Sequence, residues 1–121
     1  MALLLTIMAC QPGRSTAVIG VLSQTPALAV SLDGFKSGMS DLGYAKEDGI
    51  VYIYNGPTAF DALAIESKRL LDQNVNLVFA LGTPAAIAAK NAIQGMDVPV
   101  VFGPVYDPLE SGLVRDLINP G

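Results

Sequence analysis

Strand-length apolar runs alternate with helix-length segments four times along this chain, and that rhythm limits its fold more than any other feature. The runs lie at residues 17–22, 50–54, 77–81 and 98–102. Each is a nearly unbroken apolar block, the pattern of a strand buried on both faces of a parallel sheet. After the first run Pro26 opens a helix on which Leu28, Leu32, Phe35, Met39 and Leu42 recur at spacings of four, three, four and three, one inward stripe. Gly43 supplies the stop just past that helix. Gly34 lies inside it, at a cost of about 1 kcal/mol against alanine, and so predicts close packing on a neighbour. After the second run, Thr58 is expected to cap a helix that turns Phe60, Leu63, Ala64, Leu70 and Leu71 inward. Asp61 and Glu66 stand towards the start of that helix and Lys68 and Arg69 towards its end, an order that complements the helix dipole. A last helix is expected over 112–118. Strand then helix, repeated, predicts an α/β fold: a doubly wound parallel sheet with right-handed crossovers and the flavodoxin-like strand order 2-1-3-4.

The third repeat carries the chemistry. The run 77–81 breaks at Gly82, Thr83 stands where a helix N-cap is wanted, and Pro84 at the first helical position gives up no hydrogen bond it could have made. The free amides of such a helix start attract anions, through a dipole term of roughly 0.3–1 kcal/mol and hydrogen bonds to a charged group of about 1.5–3 kcal/mol each. A carboxylate is the expected guest. The alternative is that Thr83 caps its own helix and nothing more. In the order 2-1-3-4 the first and third strands flank the switch point, where open α/β sheets bind ligands beyond the strands' carboxyl ends. Three loops converge there, carrying Ser23 and Gln24, then 82–85, then Tyr106 and Asp107, with Gly82 and Gly103 allowing backbone to approach a guest. Asp107 reads equally as the initiator of an Asp-Pro turn.

Composition removes several function classes. At 121 residues there is room for one core, and with 51% hydrophobic and 15% charged residues the chain is not of disordered type. The net charge of −4 argues against a nucleic-acid footprint, and no basic stripe favours an anionic membrane surface. With no histidine and one cysteine, a Ser-His triad, a Cys/His zinc site and an internal disulfide are all excluded within these 121 residues. Neither the Gly-x-Gly-x-x-Gly nor the Walker A spacing occurs, so nucleotide cofactors are disfavoured and no cofactor or metal is expected. A phosphoacceptor domain needs acidic residues at the ends of the first and third strands, which carry Ser23-Gln24 and Gly82-Thr83 instead. Binding, not catalysis, is the expectation.

Residues 1–9 are uncharged and apolar, too short for the roughly 20 residues that span a bilayer but of secretory h-region length. Ile7-Met8-Ala9-Cys10 resembles the end of a bacterial lipoprotein signal, which would make Cys10 the lipid attachment point; Met8 and the lack of Lys or Arg depart from that pattern. The expected organisation is a leader at 1–9, a linker at 10–16 and an amino-terminal α/β lobe at 17–121.

From Ile19 onward a series of blocks is similar to the bacterial ABC-transporter substrate-binding proteins of the tryptophan/tyrosine-binding type. They are Ile19-Gly20-Val21-Leu22, Pro26-Ala27-Leu28, Asp33-Gly34-Phe35-Lys36, Leu42-Gly43-Tyr44, Gly82-Thr83-Pro84-Ala85-Ala86, Pro99-Val100-Val101-Phe102, Asp107-Pro108 and Gly112-Leu113-Val114. Departures from the family pattern are Ala29 after Pro-Ala-Leu, Tyr106 before Asp-Pro, and the turn at 45–48. The resemblance implies one lobe of a bilobed, periplasmic-binding-protein-like fold, truncated before its second lobe. It implies a small-molecule solute, an amino acid or related carboxylate, held by Thr83 and the amides near Ala85 and Ala86. Asp107 would take the amine, and Ser23, Gln24, Gly82 and Tyr106 would complete the wall. It implies further an ABC permease as partner, a periplasmic or cell-surface location, and membrane contact only through Cys10. Two alternatives remain open on the sequence: a non-functional truncated remnant, and a ligand-sensing domain of a signalling protein.

Overall fold

The computed structural model describes residues 16–120, so the leader at 1–9, Cys10 and most of the linker lie outside the described residues. Four parallel strands, β1 (Ala17–Ser23), β2 (Ile50–Ile53), β3 (Leu77–Leu81) and β4 (Val100–Phe102), form one sheet in the order β2-β1-β3-β4. The register sets Ile19 beside both Tyr52 and Leu77, and Phe79 beside Val101. Three helices connect them, α1 (Ala29–Asp41), α2 (Leu63–Leu71) and α3 (Thr83–Ala92). Both the doubly wound class and the strand order are those expected from the sequence.

Strand periodicity divides the core in two. Leu22, Val78 and Ala80 face α2 and α3, where they pack with Leu63, Leu70, Ala85, Ala86 and Ala89. Ile19, Val21, Phe79 and Leu81 face α1 and pack with Leu32, Leu28, Phe35 and Met39. On that side Phe35 stacks on Phe79 at 4.2 Å and meets Tyr52 edge-on at 6.3 Å. Small residues let the other side close: a Cβ on Gly20 would lie 3.1 Å from Val75 Cγ1 and 3.4 Å from Leu70 Cβ.

Four local expectations give way to packing. Gly34 has open space around its missing Cβ, so it marks no close contact. Leu42 falls on the helix C-cap and is exposed. α2 is entered through a 3-10 turn, Phe60–Ala62, whose N-cap is Ala59 and has no side-chain bond; Thr58 instead donates its backbone N–H to Ser23 O at 2.8 Å. That entry rotates Phe60 and Ala64 outward and brings Glu66 and Ser67 into the core beside Leu63 and Leu70. Residues 112–118 form turns, not a helix. Pro108 O accepts from both Leu113 N and Val114 N, and Asp116 Oδ1 accepts from Ile118 N. Local acceptors of this kind compete with a helical ladder. Lys90 Nζ, at the end of α3, clasps the segment through Gly112 O and Leu113 O, and Leu113 and Val114 are buried.

Candidate functional site

At the carboxyl ends of β1 and β3 the chain leaves the sheet in opposite directions, β1 towards α1 and β3 towards α3. The gap between them opens into a cleft of about 640 Å³ lined by Gln24, Thr25, Leu28, Leu81, Gly82, Thr83, Pro84, Pro104, Val105 and Tyr106. Its floor is fixed by backbone conformation. Gly82, the N-cap of α3, has φ 92° and ψ 156°, a region open essentially to glycine alone, and its Cα faces Leu28 so closely that a Cβ would lie 3.2 Å from Leu28 Cδ1.

Thr83 is the first residue of α3, not its cap, and its side chain makes no capping bond. Its Oγ1 accepts from Tyr106 N at 2.9 Å, which binds the loop after β4 to the start of α3. A hydroxyl that accepts still has its proton to donate. Helical geometry leaves the amides of the first turn without intrahelical acceptors; Pro84 has none to offer, and Ala86 N bonds Gly82 O at 3.0 Å. Of the polar groups at this helix start, the amide and hydroxyl of Thr83 belong to a residue that lines the cleft, whereas Ala85, expected from the sequence to offer its amide, is fully buried and does not line it. The Ala86 amide, expected from the sequence to serve as well, is committed inside the helix, and the Ala85 and Ala86 side chains are wholly buried against the sheet.

The opposite wall is built by the exit of β1. Ser23 is 1% exposed and supports this wall from behind the cleft: its Oγ donates to Thr25 O at 3.0 Å. Thr25 Oγ1 in turn accepts from Ala27 N at 3.2 Å, starting the 3-10 turn Pro26–Leu28. Gln24 and Thr25 are thereby presented to the cleft. Tyr106, 90% exposed, stands at its rim.

Asp107 does not line this cleft. Its Oδ1 accepts from Glu110 N at 3.0 Å and its carbonyl accepts from Ser111 N and Ser111 Oγ, the turn-initiating role that an Asp-Pro pair also predicts. Of the residues expected from sequence, Gln24, Gly82, Thr83 and Tyr106 meet around one space. Thr25, Leu28, Leu81, Pro104 and Val105 join them unexpectedly. Thr25-Pro26 was a legible cap signal; Leu28 and Leu81 lie in apolar patterns that read equally as core, and Pro104 and Val105 in the loop after the fourth run. Among the described residues no group of His, Cys, Asp and Glu is arranged to hold a metal.

An open doubly wound sheet with a cleft at its switch point is the architecture of one lobe of a periplasmic-binding-protein-like fold. The family model for ABC transporter substrate binding protein matches residues 15–121, and the chain belongs to that family. Among curated relatives, the tyrosine-binding protein of Clostridioides difficile (strain R20291) is 32% identical over 104 residues, 85% of this chain and 30% of that one. An ABC domain from Streptococcus pneumonia solved in complex with L-Trp superposes with TM-score 0.73 at 31% identity, over 88% of this chain and 36% of that one. The ligand-free, open structure of a substrate-binding protein with adhesive properties from Clostridium difficile gives 0.70 at 28% identity, over 84% and 34%. The chain thus spans about a third of the length of the relatives it matches.

Proposed function

We propose that this chain is the amino-terminal lobe of an ABC importer's solute receptor and that its cleft takes a small amino acid or related carboxylate. The observation that carries the reading is the meeting of Thr83, at the start of α3, with Gln24 across the β1/β3 switch point. The ligand carboxylate takes the N–H and O–H of Thr83, and its amine takes Gln24 Oε1. Leu28, Leu81, Pro84 and Val105 offer an apolar surface to its body. The L-Trp complex and the tyrosine-binding relative support an aromatic amino acid as the guest. To the same reading belong an ABC permease as partner, a location outside the cytoplasm, and attachment through a lipid on Cys10; these rest on family membership and on the leader sequence.

A solute site usually buries about 70–90% of its ligand, and this cleft supplies walls from one lobe. If one lobe contributes half of a micromolar affinity, about −8.2 kcal/mol, this chain binds near −4 kcal/mol, in the millimolar range. The test is an NMR titration with L-tryptophan and L-tyrosine, with tryptamine, which lacks the carboxylate, as control. Saturable shifts at residues 82–85 and Gln24 that tryptamine does not produce and Thr83→Val weakens are expected. Unmoved amides at 82–85 up to the solubility limit would remove the reading.

A further inference from the structure

The inward stripe of α2 is interrupted by a carboxylate. Glu66 follows Leu63 by three residues and precedes Leu70 by four, and its side chain is 9% exposed. A charge in such a place needs partners, and Glu66 has two. Asn55 Nδ2 donates to Oε1 at 2.7 Å, and Arg69 Nη1, on a side chain 64% exposed, donates to Oε2 at 3.0 Å. An ion pair with one partner this exposed adds little to stability. The bond to Asn55 does something an apolar residue cannot: it fixes the first residue of the loop 55–58.

The far end of that loop is fixed as well. Thr58 N donates to Ser23 O at 2.8 Å, and Ser23 Oγ donates to Thr25 O at 3.0 Å. A continuous series of bonded groups therefore runs from the α2 carboxylate through Asn55, the short loop and Ser23 to Thr25, which lines the cleft beside Gln24. None of Glu66, Asn55 and Thr58 lines the cleft itself. We propose that Glu66 is a positioning residue for ligand binding, which acts through Asn55 and the loop 55–58 to hold the Gln24–Thr25 wall opposite the start of α3. This rests on the proposed function only for the affinity it controls; the mechanical link exists without ligand.

The experiment compares the full chain with Glu66→Met, Glu66→Gln and Asn55→Ala. Amide hydrogen exchange is read without ligand, and L-tryptophan titration is read separately. Glu66→Met is expected to keep exchange at the core amide of Ala80 unchanged. At Thr58 it should speed exchange roughly ten- to a hundredfold, the range set by losing one charge-assisted bond, shift the Gln24 and Thr25 resonances, and weaken L-tryptophan several-fold. Glu66→Gln, which keeps an acceptor for Asn55, should recover most of both effects. Asn55→Ala, a change at an exposed position, should reproduce the Thr58 effect, which keeps the test decisive should Glu66→Met fail to fold. Thr58 protection that stays native in Asn55→Ala, or that falls only in step with Ala80, overturns the proposal. Absence of L-tryptophan binding in the unmutated chain overturns the proposed function instead, and the exchange result stands apart from it.

Discussion

The Thr83 hydroxyl accepts the Tyr106 backbone amide at 2.9 Å across 23 residues of sequence, so the loop leaving β4 is hung on the first turn of α3. Two of the three loops around the cleft are thus joined by a hydrogen bond. Thr83→Val keeps the shape of the side chain and removes the acceptor. The Tyr106 amide should then exchange faster, at a cost of about 0.5–1.5 kcal/mol in unfolding free energy, because the freed N–H lies at the surface and finds water. Thr83→Ser should retain the bond. Denaturant unfolding with residue-resolved exchange checks both variants.

Gly82 is held at φ 92° with Leu28 pressing on its open side. Gly82→Ala places a Cβ in a backbone region L residues avoid and within 3.2 Å of Leu28 Cδ1. A loss on the order of 1–3 kcal/mol is expected, along with a displaced Leu28 on the cleft wall. A melting temperature equal to that of the unmutated protein would contradict this.

Gly34 presents the opposite case. It lies in α1 with nothing near the position of its missing Cβ and with ordinary helical backbone. Gly34→Ala should stabilise by roughly 0.5–1 kcal/mol, through helix propensity and a less flexible unfolded chain. A rise in the urea midpoint at constant slope is the expected reading.

Tyr52 links burial to pH. Its hydroxyl is buried and finds no hydrogen-bond partner among the described residues, Lys36 Nζ lies 5.0 Å from its ring centre, and desolvation raises its pKa above the usual 10.0. The folded protein then keeps the phenol proton to higher pH than the unfolded chain does, so the contribution is intact below pH 10 and is lost as pH rises through the folded value. Tyr52→Phe should remove this alkaline decline and leave neutral-pH stability unchanged or higher by about 1 kcal/mol, since it deletes an unpaired buried hydroxyl. Thermal melts across the alkaline range, compared between the two proteins, provide the check.

β4 stands at the edge of the sheet with Val101 exposed, and Leu117 and Ile118 are exposed beyond it. An edge strand with free backbone groups and apolar side chains invites pairing with another chain. Concentration-dependent self-association is expected, and Val101→Lys should reduce it. Sedimentation velocity showing one concentration-independent monomer would count against this.

The apolar runs and their spacing were enough to specify four parallel strands, because a strand buried on both faces leaves little freedom in composition and a parallel connection little freedom in handedness; their order came from likeness to the flavodoxin-type arrangement, which the sheet adopts. The helices were less fully determined. Glu66 and Phe60 look wrong for the positions they occupy, buried and exposed respectively, until the 3-10 entry into α2 and the bond from Asn55 are in view. The cleft divides in the same way. Gly82 and Thr83 announce themselves through backbone requirements local to their own turn. That Thr83 receives the Tyr106 amide, that Ala86 spends its own on Gly82, and that Asp107 closes a turn depends on contacts between segments distant in sequence or on competition among nearby amides, which pattern does not encode. Local pattern specified the strands and most of the helices, because burial on both faces constrains composition; only three-dimensional packing decided the entry into α2, the turns at 112–118 and which polar groups at the cleft were already satisfied.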